Sequence, residues 1–141
     1  MNLAAVVVSC AALFVLMTPP DAAADPVPVT VRVDNVTPNG GAVRVAMFDQ
    51  QNWLDEPVAA QRAEPAGVSV TFSIVAPGPG AFGFVAYQDS NGDGRLNRNV
   101  VGMPTEPWAA SNAASAYFGP PSFQDAAVNV SAATQTVITL R

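Results

Sequence analysis

"VPVTVRVD", residues 27–34, places a valine at every second position along its length. The intervening residues are proline, threonine, arginine and aspartate, so an extended chain would carry the valines on one face only. Successive side chains of a β-strand point to opposite sides of the sheet. The stretch therefore predicts a strand with one buried and one solvent-facing side, and it indicates an all-β fold.

Further segments of the chain carry comparable patterns. Residues 82–87 are apolar on both faces, as expected of a central strand covered on two sides. Alternation like that of the first stretch recurs in residues 43–47, 68–74, 126–130 and 136–140. Together these segments predict an antiparallel β-sandwich of about seven strands, Ig-like or prealbumin-like, forming a single domain over residues 25–141.

The connections between these strands give three further expectations. Asn39-Gly40-Gly41 is typical of a turn, so the first two strands are expected to pair as a hairpin or as neighbours. Residues 52–64 are the one helical candidate, because Asp55 can cap a helix and Pro57 is tolerated in its first turn. Residues 89–123 lack periodicity and predict a loop far longer than ordinary connections, which often carries function.

The amino terminus resembles an export signal. Residues 1–17 are uncharged and mostly apolar, and Ala22-Ala23-Ala24 offers the small residues that a signal peptidase requires. The apolar run is about 15 residues, short of the roughly 20 that span a bilayer as a helix. We expect residues 1–24 to be a cleaved signal peptide, and the mature protein to be secreted or periplasmic, without stable membrane insertion. Retention as an anchor, or lipidation at Cys10, are the alternatives.

Composition restricts the chemistry of the mature chain. Cys10 is the only cysteine, the sequence contains no histidine or lysine, and the net charge is −5 at pH 7. An acidic surface repels nucleic acid, so we expect no nucleic-acid partner. Without histidine, lysine or a mature cysteine the usual nucleophiles and bases are missing, and we expect a protein that is not an enzyme. Zinc and copper are not predicted for the same reason.

The most specific motif is "YQDSNGDGRLN", residues 87–97. Calcium takes six to eight oxygen ligands, and alternate residues of a tight loop can bring them together. Counted from Asp89 as position one, the oxygens that could bind calcium come from Asp89, Asn91, Asp93, the carbonyl of Arg95, and Asn97. Position twelve is Val100, where such a loop needs an acid, so Glu106 is expected to fold back and close the site. We predict a weak structural calcium site that tethers the 89–123 loop.

A metal-free interpretation explains the same residues. Asn91-Gly92 and Asp93-Gly94 are strong turn signals, and aspartate and asparagine often accept hydrogen bonds from nearby backbone amides. Arg95 or Arg98 could neutralise the aspartates without an ion. The sequence leaves both interpretations open.

Aromatic residues in the loops suggest a second kind of function. Trp53, Trp108, Tyr117 and Phe118 could bind a glycan or a protein partner. A structural role is the alternative: Trp53 would seat the short helix on the sheet. Trp108 would then pack with Phe118 and Phe123 into a small second core.

Two longer stretches carry a family resemblance: "GAFGFVAYQDSNGDGRLNRNVVGMPTEPWAASN", residues 80–112, and "FGPPSFQDAAVNV", residues 118–130. They resemble the bacterial family called domain of unknown function 2141, and the likeness extends over residues 27–141. The resemblance implies an exported single-domain protein without an assigned activity. The strand leading into an aspartate-rich loop is also similar to transthyretin-like and carboxypeptidase regulatory sandwiches, which concerns fold alone.

The family's Ser-Asn pair corresponds to Ser111 and Asn112, and we take these with Trp108 as candidate ligand-binding residues. The sequence departs from the family at Gln88, where a histidine is frequent, and at Asn97, where an aspartate is common. Ala109-Ala110 stands where Gly-Phe is expected. The loss of an acid at Asn97 weakens the calcium prediction, and the matching Glu106 partly restores it.

Overall fold

A computed structural model describes residues 23–141, and the signal segment predicted from residues 1–24 lies almost wholly outside them, with Cys10. The described chain forms eight strands and one short α-helix. The strands are β1 Val27–Asp34, β2 Ala42–Phe48, β3 Ala59–Ala63, β4 Ser69–Ala76, β5 Gly80–Asp89, β6 Trp108–Ala110, β7 Ala127–Val130 and β8 Thr134–Thr139. A 3₁₀ helix spans Ser111–Ala113, and the α-helix α1 spans Phe123–Ala126.

The strands form two sheets that pack face to face. The first sheet has three strands in the order β4-β1-β8, and the second has the order β3-β2-β5-β6. Strand β7 pairs with the beginning of β5, beside β6, which pairs with the end of the same strand. The predicted all-β sandwich is confirmed.

The core lies between the sheets and is built by the predicted alternation. Val29, Val31 and Val33 of β1 are completely buried. Their neighbours in the core come from both sheets: Phe72 and Ile74 of β4, Val43, Val45 and Met47 of β2, and Phe84 and Ala86 of β5. Burial of each such side chain contributes about 1.5 to 3 kcal/mol, so this interior is the main source of stability.

The predicted pairing of β1 with β2 is wrong. The two strands lie in different sheets, and β1 pairs instead with β4 in antiparallel and with β8 in parallel orientation. Their apolar faces meet across the core. The alternation of residues indicates which face of a strand is buried, but it does not indicate which strand lies alongside. The parallel β1–β8 pair is a departure from the expected antiparallel arrangement.

The helix predicted over residues 52–64 is also wrong. Residues 51–55 form turns, and residues 59–63 form β3, an edge strand that pairs with β2. The backbone amide of Val58 donates to the carbonyl of Met47 at 2.7 Å and starts this pairing. Hydrogen bonding to the free edge of β2 outweighs the helix-compatible composition. The short α-helix is α1, which Ser122 caps by accepting the Asp125 amide at 3.2 Å.

The segment predicted as one long loop contains regular structure. Strand β6 pairs with β5 through Tyr87 opposite Trp108 and Val85 opposite Ala110. The irregular chain is therefore divided into two shorter parts, residues 90–107 and 114–122. Each part is anchored at both ends by a strand or a short helix.

A second apolar cluster covers the outer face of the five-stranded sheet. Its buried members are Phe48, Val85, Ala110, Ala114 and Ala126, with Trp53, Leu54 and Trp108 packed against them. The Trp53 ring meets Phe48 and Phe123 edge-on, with ring centroids 5.6 and 5.7 Å apart. Phe118 does not join a small core with Trp108 as predicted, because its side chain is 95% exposed.

Candidate functional site

Asp89 organises the turn that follows β5. Its side chain is completely buried, and one carboxylate oxygen accepts the Gly92 amide at 2.9 Å. The other oxygen accepts the Gly94 amide at 2.8 Å and the Arg44 Nε at 3.0 Å. For Asp89, the predicted neutralisation by Arg95 or Arg98 comes instead from Arg44 of the neighbouring strand β2, whereas the Arg95 charge contributes at Asp93.

These contacts keep Asp89 ionised. Burial disfavours the charged carboxylate, but the amides of Gly94 and Gly92 and the Arg44 guanidinium together outweigh that effect. The pKa of Asp89 is therefore lowered below its ordinary value of 3.8. The hydroxyl of Tyr87 donates to the Gly94 carbonyl at 3.0 Å and holds the turn over β5. Burial raises the pKa of this tyrosine, so it stays protonated as a donor.

The exposed part of the turn is closed by side chains that bond one another. Asn91 Oδ1 accepts the Asp93 amide at 3.2 Å, and Asp93 Oδ1 accepts the Arg95 amide at 2.9 Å. The Asn97 side-chain amide donates to Asp93 Oδ2 at 2.7 Å. Hydrogen bonds from Asn97 and from the Arg95 amide lower the pKa of Asp93.

Glu106 folds back over this turn, as expected from the sequence. It is buried, and its two carboxylate oxygens accept the backbone amides of Ser90 at 2.9 Å and Asn97 at 3.1 Å. The carboxylate thus joins the two ends of the turn. It also fixes the start of the hairpin that follows Asn97, whose carbonyl accepts the Thr105 amide at 2.9 Å.

The donor set agrees with the calcium prediction only in part. The acids and neutral oxygens lie in one short segment, but the carboxylates of Asp89, Asp93 and Glu106 all accept N–H groups. Within residues 23–141, no three acidic, histidine or cysteine side chains are grouped closely enough to hold a metal ion. Calcium binding would require the amide oxygens of Asn91 and Asn97 to release the hydrogen bonds that they accept, from the Asp93 amide at 3.2 Å and from the Asn91 side chain at 3.0 Å. The calcium site stays a prediction.

Gln88 ties the site to the connection between β1 and β2. Its buried side chain accepts the Thr37 amide at 2.9 Å and donates to the carbonyls of Thr37 at 2.7 Å and Gly41 at 3.0 Å. Gly41 has a φ of +104°, and a Cβ there would lie 2.1 Å from the Asp89 carbonyl oxygen. The chain between β1 and β2 therefore packs directly against the end of β5.

The side chains of Ser111 and Asn112 form hydrogen bonds with backbone groups of the protein itself. Ser111 is completely buried, where its hydroxyl accepts the Phe84 amide at 3.0 Å and donates to the Ala126 carbonyl. The Asn112 side chain donates to the Ala127 carbonyl at 2.8 Å. Both residues connect the 3₁₀ helix to the junction of α1 and β7. Trp108, the third candidate, lies apart from them beside an open cleft.

That cleft has a volume of about 310 Å³ and lies on the outer face of the second sheet. Two segments supply most of its lining: the hairpin wall, residues 96–104, and the aromatic wall, residues 114–120. Its apolar lining includes Leu54, Val85, Leu96, Met103, Trp108 and Tyr117. Ligand clefts are typically about 300 to 1,000 Å³ and mostly apolar, so this cleft is at the small end of that range.

The hairpin wall is held by its own hydrogen bonds. Asn99 Oδ1 accepts the amides of Val101 at 3.1 Å and Met103 at 3.0 Å, and the Asn99 amide donates to the Met103 carbonyl at 2.8 Å. Arg98 and Pro104 face each other as an isolated β-bridge. The wall is therefore formed before any ligand arrives.

Exposed apolar side chains are concentrated around the cleft. Val101 is 77% exposed, Met103 is 56% exposed, and Tyr117 is fully exposed. Val100 and Phe118, next to them in sequence, are also almost fully exposed. Contiguous exposed apolar surface usually marks a site of binding.

Sequence reasoning missed most of this cleft. The pairing of Arg44 with Asp89 could not be predicted either, because the two residues are distant in sequence. The loop aromatics Trp108 and Tyr117 were identified from the sequence, and the apolar residues Val100, Val101 and Met103, in an otherwise polar segment, were the available signal for the hairpin wall. In the described chain, no helix is long and apolar enough to span a membrane.

Comparisons with known proteins are limited to one family. No curated protein and no solved structure matches the chain significantly. The fold resemblance to transthyretin-like and carboxypeptidase regulatory sandwiches thus stays a prediction. A family model described as "Uncharacterized protein conserved in bacteria (DUF2141)" matches residues 31–138, and the chain therefore belongs to this bacterial family.

Proposed function

We propose that this protein is an exported, non-enzymatic binding module whose cleft between the hairpin wall and the aromatic wall takes up an apolar ligand. One observation supports the proposal most directly: a cleft of about 310 Å³ is bordered by apolar side chains that are exposed to water. Covering such surface contributes about 25 cal/mol per Å².

The acidic turn has a supporting part in this proposal. Glu106 and Asn97 join the turn to the hairpin wall, and the buried pair of Asp89 and Arg44 joins the turn to β2. The acidic turn, residues 89–97, thus anchors the hairpin wall of the cleft. Preformed binding surfaces lose less conformational entropy when a ligand binds.

A neutral fluorescent dye such as Nile red provides the test. The purified protein is expected to bind it, and Val101→Ser with Met103→Ser is expected to weaken binding at least about tenfold. The matched control is Val75→Ser with Val137→Ser, because these valines are also more than half exposed but lie on the other sheet. Equal affinity in both double variants, or no binding by the wild type, would overturn the proposal.

Calcium binding by the acidic turn is a second candidate, favoured by the position of Glu106 across the turn. With few charges the affinity would be on the order of 10⁻⁴ to 10⁻³ M. Calcium at ten times its dissociation constant would then stabilise the fold by about 1.4 kcal/mol. Thermal melting with about 10 mM calcium and with chelator tests this candidate, and an unchanged melting temperature would remove it.

Export is proposed from residues 1–24 alone. The expected result is a mature protein that begins near Asp25 and is found in the periplasm or culture medium. Mass spectrometry of the protein recovered from its native host would establish the cleavage point. Recovery of the uncut chain in the cytoplasm would contradict export.

A further inference from the structure

We infer that the ligand of the cleft is a free, single-chain anionic amphiphile, of the kind represented by a medium-chain fatty acid. This inference rests on the proposed function and adds the charge and the shape of the ligand. It is drawn from two arginines, Arg98 and Arg141, which are the charged side chains in the lining of the cleft.

Neither arginine is engaged by a carboxylate within residues 23–141. The ion pairs of this part of the chain use Arg32, Arg44 and Arg62. Arg98 donates to the Gly102 carbonyl at 3.1 Å, and Arg141 donates to the Ala113 carbonyl at 3.3 Å. A guanidinium has five N–H donors, so each keeps most of its donors for another partner.

The two arginines come from different segments of the cleft lining. Arg98 belongs to the hairpin wall, whereas Arg141 contacts Ala113, immediately before the aromatic wall. The backbone of Arg141 is fixed by reciprocal hydrogen bonds with Trp108, each 3.2 Å long. A guanidinium group therefore belongs to each of two separate segments that line the apolar cleft.

This arrangement selects for a ligand with two chemically different parts. An acyl chain would cover the apolar lining, and an anionic head would accept hydrogen bonds from the guanidinium groups, which bind carboxylates well. The protein as a whole carries a net charge of −5, so this positively charged rim contrasts with its overall charge. The volume of about 310 Å³ favours one acyl chain over two.

Competition against bound Nile red tests the charge and the chain separately. Dodecanoate, dodecanol and dodecyltrimethylammonium, all below their micelle concentrations, share the chain and differ in the head. Dodecanoate is expected to displace the dye at a concentration at least about tenfold lower than dodecanol, with dodecyltrimethylammonium weakest. Raising the salt concentration is expected to reduce the advantage of dodecanoate.

The variants Arg98→Gln and Arg141→Gln together are expected to remove that advantage, so that dodecanoate and dodecanol displace the dye at similar concentrations. The matched control combines Arg62→Gln with Arg95→Gln, which removes the same charge from residues outside the cleft and is expected to behave as the wild type. Equal binding of dodecanoate and dodecanol by the wild type would overturn the inference while the proposed function stands. Failure of Nile red and of all three amphiphiles to bind would overturn both. Co-sedimentation with phosphatidylglycerol vesicles, without dodecanoate binding, would also overturn the inference.

Discussion

The carboxylate of Glu106 accepts the backbone amide of Asn97 at 3.1 Å, across the base of the hairpin that forms one wall of the cleft. Its second oxygen accepts the Ser90 amide at 2.9 Å, at the start of the acidic turn. A single buried side chain therefore joins the end of β5 to the hairpin. The acidic turn and the cleft are parts of one structural unit.

Replacing Glu106 with glutamine should destabilise this unit. Glutamine offers one acceptor oxygen where glutamate offers two, and its NH₂ group would face a backbone N–H. We expect a loss of about 1 to 3 kcal/mol in the free energy of unfolding, and weaker dye binding. Urea denaturation measures the first effect. The matched control, Glu64→Gln, breaks only an exposed ion pair with Arg62 and should change little. Identical stability of the two variants would contradict the role of Glu106.

Acid should weaken the fold through Asp89. Its pKa is lowered in the folded state, so the stability that its charge contributes is fully present above the ordinary value of 3.8. That contribution is lost as the pH falls below 3.8 and through the lower, folded-state pKa. Urea unfolding from pH 7 to pH 2 should show this decline, and Asp89→Asn should flatten it. An acid limb with the same slope in both proteins would contradict the prediction.

Gln88 should be difficult to replace. Gln88→Leu would leave the Thr37 amide and the carbonyls of Thr37 and Gly41 without their present partner in a partly buried site. The expected loss in the free energy of unfolding is about 2 to 4 kcal/mol. Gln124→Leu, at an exposed position in α1, is the control and should cost far less. Equal losses in thermal melting would show that these hydrogen bonds contribute little.

Gly83 should be required for the position of Trp53. A Cβ at residue 83 would lie 2.4 Å from the indole ring, so Gly83→Ala must displace it. The ring would lose its edge-on contacts and the N–H bond to the Pro121 carbonyl, 2.9 Å long. We expect a loss of about 1 to 3 kcal/mol and a changed near-ultraviolet circular dichroism spectrum. Gly67→Ala, where a Cβ meets nothing within 4 Å, should leave the spectrum unchanged.

The strands that sequence reasoning located share strong alternation. β1 and β4 bury every second side chain, and β5 is buried on both faces, as the sequence predicts. Alternation of apolar and polar residues reflects which face of a strand is buried. It can therefore be recognised in the sequence without knowing which strands lie alongside. The partner of β1 could not be predicted, because the core accepts valines equally well from either sheet.

The elements that sequence reasoning missed are short and depend on their neighbours. β3 consists of Ala-Ala-Gln-Arg-Ala, which is compatible with a helix, and it is extended because β2 offers it a free edge. β6 is too short to show alternation. In the site, the position of Glu106 over the turn agrees with the sequence, whereas Arg44 reaches Asp89 only through the pairing of β2 with β5.

The parallel pairing of β1 with β8 also constrains the order in which the molecule can form. The Asn35 side chain, just after β1, bonds the Leu140 carbonyl, 105 residues further along the chain. One of the two strand pairings of β1 thus has to wait until β8 has been synthesised. Contacts between distant parts of a sequence slow folding, because the intervening chain must first be brought together. A chain that has been synthesised only as far as residue 133 would lack that partner, and the synthesis of β8 therefore completes the sheet β4-β1-β8.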